Sequence, residues 1–320
     1  MNAILRLTDL HPSPDDISGD ILAGLSRSPK RLPSKYFYDK RGSELFEEIT
    51  RQPEYYLTRI ELALLEDKAA EIAEAVGPRA HVVEYGSGSG RKTRLLLDAL
   101  EDPVAYTPIE ISRNALLASV ERLDREFGDI EVLPMLADFT TPVPLPEPER
   151  KADHALVFFP GSTLGNFTDA EALRLLRAMR ETMGDRGGAL VGIDLQKDPA
   201  IITAAYNDAA GVTAAFTHNL LARLNRDIGS DFDLDAFEHH AEYMLDAGRI
   251  ETFLISRKPQ TVTVEGRRFD FTAGERMQVE YSQKYTDDSF AALAREAGLK
   301  VVCRWNDAKD WFGLRLLQRG

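Results

Sequence analysis

Short apolar runs alternate with amphipathic segments of helical periodicity between residues 80 and 196. Strands that alternate with helices in this way are typical of a parallel sheet covered by helices on both faces. Crossovers between such strands are right-handed, which leaves few possible topologies. The pattern therefore predicts a doubly wound α/β fold. Its strands are predicted in the runs AHVVEY, VAYTPIEIS, IEVLPMLADF, ADHALVFFPGSTLGNF and GALVGIDLQ.

This alternation stops at the end of the last run. Residues 197–286 contain a long helical run and then several runs that alternate apolar and polar residues, with a hairpin turn predicted at Gly266. We interpret them, together with residues 1–60, as an α+β lobe inserted into the sheet domain. The sheet domain then comprises residues 61–196 and 287–320. The second of these segments predicts a helix followed by a hairpin at the sheet edge.

Helices are also predicted outside the alternating region. A short helix is expected within the first 30 residues. Ser43 is a candidate N-cap of a second helix, which Pro53 would end. The spacing of leucine, isoleucine and alanine predicts a third helix from about Arg59 to Ala75. A further helix is predicted over residues 114–127, after the second strand of the sheet.

The composition disfavours several classes of function. The 320 residues are 43% hydrophobic and carry a net charge of −13, which disfavours binding to nucleic acid or to an anionic membrane. No apolar stretch approaches the ~20 residues of a membrane helix, and the N-terminal segment is too acidic for a secretory signal. With Cys303 as the single cysteine, no intrachain disulfide can form. We therefore expect a cytoplasmic protein. We also expect it to be a monomer.

The first predicted strand leads into a glycine-rich turn and then a helix, in the stretch HVVEYGSGSGRKTRLLLDAL. Gly86, Gly88 and Gly90 form G-x-G-x-G, which is neither the dinucleotide fingerprint nor a P-loop. A turn of this kind allows a ligand to approach the backbone at a helix N-terminus. It is also compatible with a tight turn that only packs a helix on a strand, and the glycines alone leave both interpretations open.

Two further strand ends favour a nucleoside. Glu110 ends the second strand, where a carboxylate can accept hydrogen bonds from both ribose hydroxyls. Asp138 and Phe139 end the third strand, where they could bind and cover an adenine. The alternatives are a solvent-exposed strand end for Glu110, and a helix cap and a core aromatic for the other two. A glycine turn, a ribose acid and an adenine clamp without a phosphate site fit S-adenosylmethionine (SAM) better than NAD.

Long blocks of the sequence carry a more specific signal. The chain resembles the ergothioneine-pathway L-histidine Nα-methyltransferases over nearly its whole length. The resemblance implies a Rossmann-like class I SAM-dependent methyltransferase sheet and a substrate-binding lobe. It also implies the transfer of three methyl groups to the α-amine of histidine, which gives hercynine in the first step of ergothioneine biosynthesis. The matching blocks are FYDKRGSELFEEITRQPEYY, EYGSGSGRKTR, PGSTLGNF, AYNDAAGVTAAF, DFDLDAF and GERMQVEYSQKY.

The resemblance also implies site residues. Asn166 and Tyr206 should bind the carboxylate of the amino acid, with Tyr38 near the same end, and these three form the expected catalytic group. The residues expected around the imidazole are Tyr55, Thr252, Glu280 and Ser282. The residues expected to bind SAM are Gly86, Gly88, Lys92, Glu110, Asp138, Phe139 and Gly161.

Independent physical arguments support part of this assignment. Glu280 and Ser282 are two residues apart on a strand pattern, so their side chains share one face. A carboxylate can accept from an imidazole N–H while a hydroxyl serves the other nitrogen. Spacing alone favours packed aromatic side chains of the lobe over ligand contacts for Tyr38, Tyr55 and Tyr206, and the resemblance reverses this interpretation.

Two positions depart from the family pattern. Family members often carry aspartate at Glu110, and one carries methionine at Thr252, beside the imidazole. A smaller polar residue at Thr252 enlarges the pocket and leaves open another acceptor, such as tryptophan or a small amine. A SAM-binding subunit without turnover is a further alternative. We predict no metal site, because the acidic stretch DFDLDAFEHHAE lacks the glycine of a calcium loop.

Overall fold

A computed structural model describes residues 6–12, 16–86, 88, 90–111, 113, 116–117, 119–120 and 130–320. The chain divides into two compact units. Unit 1 comprises Met1–Ser13, Ile60–Leu195 and Tyr285–Gly320. Unit 2 comprises Pro14–Arg59 and Gln196–Lys284.

Fourteen strands and nine α-helices have their bounds within the described residues. The strands are β1 (Thr8–Asp9), β2 (Ala80–Tyr85), β3 (Ala105–Glu110), β4 (Glu131–Val132), β5 (Met135–Leu136), β6 (His154–Phe159), β7 (Gly188–Asp194), β8 (Phe237–Met244), β9 (Arg249–Ser256), β10 (Gln260–Val264), β11 (Arg267–Phe271), β12 (Arg276–Gln283), β13 (Leu299–Asn306) and β14 (Phe312–Arg319). The helices are α1 (Ile17–Leu25), α2 (Lys40–Ile49), α3 (Tyr56–Asp67), α4 (Ala69–Val76), α5 (Arg91–Ala99), α6 (Asp169–Met183), α7 (Pro199–Ala205), α8 (Val212–Ile228) and α9 (Asp287–Glu296).

Unit 1 contains a sheet with the strand order β1-β5-β3-β2-β6-β7-β14-β13, and β4 pairs with β3 beside β5. The strands from β1 to β7 pair in parallel, whereas β14 is antiparallel to both β7 and β13. The chain moves outward from β2 through β3 to β5 and then returns to β6 on the other side of β2. This topology confirms the predicted doubly wound sheet and its edge hairpin.

The third predicted strand is broken into β4 and β5. The pairing of Ile109 with Met135 places Pro108 of β3 opposite Pro134. Neither proline can donate a hydrogen bond, so the pairing is interrupted between the two short strands. β5 then continues the sheet to its other neighbour, β1.

Both faces of the sheet in unit 1 are covered, as expected for a parallel sheet. All six residues of β2 are buried, and its apolar side chains alternate between two clusters. Val83 and Tyr85 belong to a cluster that includes residues of α6 and α9. Val82 belongs to a second cluster on the other face, with residues of α4 and α5. The strand that leads into the glycine turn is therefore held on both sides.

Several helix boundaries differ from the sequence prediction. The N-cap of α2 is Asp39, whose carboxylate accepts from the N–H of Gly42 at 2.7 Å, so Ser43 lies inside the helix. The third helix is divided at Lys68, whose φ of −101° and ψ of 9° end α3 before α4 begins. Most of the helix predicted over residues 114–127 lies outside the described residues.

Unit 2 is an α+β unit. Its sheet has the antiparallel order β12-β9-β8, and β10 and β11 form a separate hairpin. Glu265 and Gly266 form the turn of this hairpin with φ values of 46° and 77°, which is the left-handed backbone of a type I′ turn. Helices α2 and α8 pack together through Phe46 and Phe216, whose ring centroids are 6.2 Å apart.

The first part of the predicted lobe is wrongly assigned. The sequence analysis assigned residues 1–60 to the lobe. Thr8 and Asp9 instead pair with Met135 and Leu136 at the edge of the large sheet. This short parallel pairing gives no apolar alternation of its own, so the sequence pattern did not reveal it.

Candidate active site

The carboxyl ends of the parallel strands lie along one edge of the sheet in unit 1. The topological switch is at β2 and β6, because the chain leaves β2 toward β3 and later returns to β6. In an open α/β sheet this is the position at which ligands bind. Gly86 follows β2, Glu110 ends β3 and Gly161 lies just after β6. The structure therefore places these three predicted residues on adjacent strand ends.

The glycine turn has the backbone that only glycine adopts easily. Gly86, Gly88 and Gly90 have φ values of 78°, 42° and 72°. A Cβ atom added to Gly86 or Gly88 would meet no atom within 4 Å, so neither glycine is needed for helix–strand packing. This favours the ligand cradle over the packing turn at these two positions.

A buried ion pair links the helix after the glycine turn to the end of β6. The Lys92 ammonium lies 2.5 Å from a carboxylate oxygen of Glu61, whose side chain is fully buried. The N–H of Gly161 donates to both oxygens of Glu61, at 2.9 and 3.0 Å. A Cβ atom at Gly192 would lie 2.4 Å from the same carboxylate, so β7 needs glycine there. Glu61 thus fixes both Lys92 and the backbone of Gly161.

Sequence reasoning missed Glu61, although a signal was present. Glu61 lies three and four residues before Leu64 and Leu65, which are buried. It therefore occupies the apolar face of α3, where an ionisable side chain is rare unless it is paired.

The end of the third predicted strand is partly occupied by local contacts. Oδ1 of Asp138 accepts from the backbone N–H and the hydroxyl of Thr140, at 2.9 and 2.7 Å. Phe139 stacks on Tyr85, with ring centroids 5.1 Å apart and planes inclined by 24°. It also contacts Phe159 at 6.1 Å. One oxygen of Asp138 and one face of Phe139 therefore stabilise the loop.

A second acidic side chain lies buried at the end of β2. Glu84 accepts from the Thr93 hydroxyl, at 2.7 Å to each oxygen, and from the Tyr106 hydroxyl. Burial raises the pKa of Glu84 to about 8, although both hydrogen bonds act in the opposite direction. The Glu84 carboxyl group thus links β2 to Tyr106 of β3 and to Thr93 in the first turn of α5. This helix directly follows the glycine turn.

Unit 2 brings four of the predicted substrate residues into one polar cluster. Glu280 pairs with Thr252 across β12 and β9, and the Thr252 hydroxyl donates to the Glu280 carboxylate at 3.5 Å. Ser282 follows on the same face of β12, and both Thr252 and Ser282 are buried. Lys284, which sequence reasoning missed, donates to the hydroxyls of Tyr206 and Ser282 at 3.0 and 3.1 Å.

The charge state of Glu280 depends on this environment. Burial raises the pKa of the Glu280 carboxyl to about 7, against the opposing effects of the Lys284 charge and the Thr252 hydrogen bond. The carboxylate is thus poised to change its charge near neutral pH. A group of this kind is a candidate for a binding or catalytic site.

Tyr38 and Tyr55 belong to an aromatic group in unit 2. The Tyr38 ring packs edge-on against Phe46 and Phe216, with centroids 5.7 and 5.6 Å away. Tyr55 lies edge-on to Phe46 at 6.2 Å. Although 46% of Tyr38 is exposed, dense protein around its hydroxyl raises the pKa of the phenol. The nearby charges of Glu280 and Tyr206 act in the same direction.

Asn166 is the remaining predicted residue. It ends the 3₁₀ turn Thr163–Asn166, which follows β6 in unit 1, and its side chain is half-buried. Ser162, just before this turn, has a φ of 56°, and its hydroxyl oxygen accepts from the N–H of Asp194 at 2.9 Å. The turn that carries Asn166 is therefore fixed at the carboxyl edge of the sheet.

Comparison with known proteins identifies the family. Residues 17–319 match the family model described as histidine-specific methyltransferase, SAM-dependent. The chain belongs to this family. The methyltransferase is 42% identical to a histidine N-alpha-methyltransferase of Mycolicibacterium smegmatis, with 94% of each chain covered. It is 39% identical to the protein of that name from Mycobacterium tuberculosis, with 93% of each chain covered.

A fungal relative is longer. The methyltransferase is 31% identical to the ergothioneine biosynthesis protein 1 of Neurospora crassa, in an alignment that covers 91% of this chain and 33% of the fungal protein. The whole methyltransferase thus corresponds to about a third of that relative.

Two absences apply to the part of the chain that the structure describes. Within it, no group of three or more His, Cys, Asp or Glu side chains is arranged to hold a metal ion. Nor does any helix in the described ranges have the length and apolar character needed to cross a membrane.

The Glu61 contacts give a first prediction. We expect Glu61→Gln to weaken SAM binding about tenfold, because the amide removes the charge that holds Lys92 beside Gly161, and a charged hydrogen bond contributes about 1.5–3 kcal/mol. Titration calorimetry with SAM measures this. Glu66→Gln, at an exposed position of the same helix, is the control. Equal SAM affinity in Glu61→Gln and in the unmodified protein would show that this ion pair does not contribute to SAM binding.

Proposed function

We propose that this methyltransferase transfers three methyl groups from SAM to the α-amino group of L-histidine. The product is hercynine, and the reaction is the first step of ergothioneine biosynthesis. The polar cluster of Thr252, Glu280 and Ser282 is the observation that supports histidine as the methyl acceptor. It offers a carboxylate and a hydroxyl on one face of β12, which are the two partners that the ring nitrogens of histidine require.

SAM binding is assigned to unit 1. The open backbone at Gly86 and Gly88 accommodates the donor beside the N-terminus of α5, and Glu110 accepts from the ribose hydroxyls. Asp138 and Phe139 bind the adenine with the atoms that their loop contacts leave available. Lys92 and Gly161 lie at the methionine end, where Glu61 holds them.

Histidine recognition is assigned mainly to unit 2. Glu280 and Ser282 bind the imidazole, with Thr252 and Tyr55 around the ring. Tyr206 and Asn166 bind the carboxylate, and Tyr38 belongs to the same end of the amino acid. The resemblance to the family supports these roles residue by residue. The shared cluster of Tyr206, Ser282 and Glu280 in unit 2 supports them physically.

Each transfer forms a bond between the amine nitrogen and the methyl carbon and breaks the bond from that carbon to sulfur. The sulfur keeps the electron pair, so S-adenosylhomocysteine leaves, and the amine loses a proton before it attacks. Alignment of donor and acceptor accounts for most of the acceleration of such a displacement. The growing positive charge is stabilised by aromatic faces, which Tyr38 and Tyr206 can supply.

The remaining properties follow the same proposal. We propose that the enzyme acts as a cytoplasmic monomer, without a metal ion and without a nucleic-acid or membrane partner. The net charge of −13 supports the last two statements.

Mass spectrometry tests the function directly. Purified protein is incubated with SAM and, separately, with each of the twenty amino acids. We expect a mass gain of three methyl groups on histidine and unchanged masses for the others. Trimethylated tryptophan or tyrosine would contradict the acceptor and implicate the small side chain of Thr252. Methylation of none of them, with SAM binding intact, would contradict turnover and favour a SAM-binding subunit.

A further inference from the structure

Lys284 is a fully buried lysine whose role the function does not yet explain. It follows β12 directly and lies two residues beyond Ser282, so Glu280, Ser282 and Lys284 share one face. Its ammonium donates to the hydroxyl oxygens of Ser282 and Tyr206 at 3.1 and 3.0 Å. The charge of Lys284 also favours the ionised form of Glu280.

The direction of these hydrogen bonds is fixed by chemistry. An ammonium group carries three donors and no acceptor, whereas a hydroxyl can either donate or accept. A hydroxyl oxygen that faces Lys284 must accept from it and must point its own proton elsewhere. Lys284 therefore occupies one of the two acceptor positions of the Ser282 oxygen and favours donation of the Ser282 proton to its next partner.

We propose that Lys284 is a positioning residue that selects the neutral imidazole of histidine. The inference rests on the proposed function. Glu280 accepts from the ring N–H, and Ser282, with its polarity set by Lys284, donates to the bare ring nitrogen. An imidazolium has no bare nitrogen, so it would leave the Ser282 proton without this acceptor. The same argument makes Tyr206 a donor toward the carboxylate of the amino acid.

A substrate analogue separates this role from a structural one. In a pyrrolylalanine one ring N–H remains and a C–H replaces the bare nitrogen, so the Ser282 proton loses its acceptor. A buried donor left without a partner weakens binding. We therefore expect kcat/KM for histidine to exceed that for either pyrrolylalanine isomer by about 10- to 100-fold in the unmodified enzyme.

The variants test whether Lys284 acts through Ser282. Lys284→Met lets the Ser282 hydroxyl rotate, and we expect the histidine to pyrrolylalanine ratio to fall at least threefold. Ser282→Ala should lower the same ratio further, and adding Lys284→Met to it should cause no additional change. A merely structural lysine would lower kcat/KM for both substrates equally. An unchanged ratio in Lys284→Met would therefore overturn the proposal.

Lys197→Met is the matched control, because Lys197 donates to the hydroxyl of another buried tyrosine, Tyr56, at 2.8 Å. It should leave the ratio unchanged. If the unmodified enzyme methylates no histidine, the proposed function fails before this comparison begins. A normal rate on histidine with a ratio that Lys284→Met does not change contradicts only the role of Lys284.

A measurement on the unmodified enzyme covers the case in which Lys284→Met does not fold. Ring-labelled ¹⁵N-histidine is bound together with S-adenosylhomocysteine at pH 7, where an imidazole beside a carboxylate tends to gain a second proton. We expect nitrogen NMR to show one protonated and one bare ring nitrogen. Two protonated ring nitrogens would overturn the proposal.

Discussion

Replacing Glu280 by alanine is expected to lower kcat/KM for histidine by about 10- to 150-fold. A hydrogen bond to a charged acceptor contributes about 1.5–3 kcal/mol, and the imidazole N–H would face an apolar side chain. Glu280→Gln should have a smaller effect, because its amide oxygen still accepts from the ring. Steady-state kinetics with saturating SAM measure both variants.

The pH dependence of the same site provides a second readout. Because burial raises the pKa of Glu280 to about 7, the carboxylate becomes protonated below that pH and no longer attracts the ring N–H. Histidine affinity in the unmodified enzyme should therefore fall as the pH is lowered from 8 to 6. Glu280→Gln should lose this part of the dependence, and the titration of histidine itself should remain.

A control for Glu280 is present on the neighbouring strand. Glu251 precedes Thr252 on β9 and pairs with Tyr281, so its side chain belongs to the opposite face of the sheet, where Arg249 and Gln278 bind it. Glu251→Gln should leave histidine kinetics unchanged, and SAM affinity should be normal in all three variants. Normal histidine kinetics in Glu280→Ala would show that Glu280 does not bind histidine.

Replacing Glu84 by glutamine is expected to stabilise the protein at alkaline pH by about 2–4 kcal/mol. The folded protein keeps Glu84 protonated up to a pKa of about 8, whereas the unfolded chain releases this proton near pH 4.5. The free energy of unfolding therefore falls as the pH rises between these values, and this loss is complete above pH 8. Glutamine is neutral in both states, so the variant lacks the loss.

Urea unfolding between pH 5 and pH 9 measures this effect. The difference in stability between Glu84→Gln and the unmodified protein should be small at pH 5 and should grow to its full value by pH 9. Glu101→Gln, at an exposed position of the same unit, is the control and should show no such growth. A difference that is constant across this pH range would mean that Glu84 is ionised in the folded protein.

Local sequence patterns were sufficient to predict several elements of the fold. The alternating runs predicted β2, β3, β6 and β7, since each is a short apolar segment bounded by turn residues. Gly266 marked the β10–β11 hairpin because a type I′ turn requires a left-handed backbone. Glu280 and Ser282 could be placed on one face because the period of a strand is two.

The features that sequence reasoning missed depend on partners far away in the chain. Lys284 is explained by Tyr206, 78 positions away, and Glu61 by Gly161, 100 positions away. Ser43 was a reasonable N-cap by residue type, yet Asp39 begins the helix because its carboxylate reaches the N–H of Gly42. Residue type indicates which side chains could make such contacts, but only the tertiary structure shows which of these contacts form.

The position of β14 in the sheet has a consequence for synthesis of the protein. β14 lies between β7 and β13, although it follows both of them along the chain. While the ribosome is still making residues 312–319, β7 has an open edge and β13 lacks the strand with which it pairs. Open strand edges promote aggregation of nascent chains. Folding yield in cells should therefore depend on chaperone capacity until β14 has emerged from the ribosome, even though most of the sheet emerges earlier.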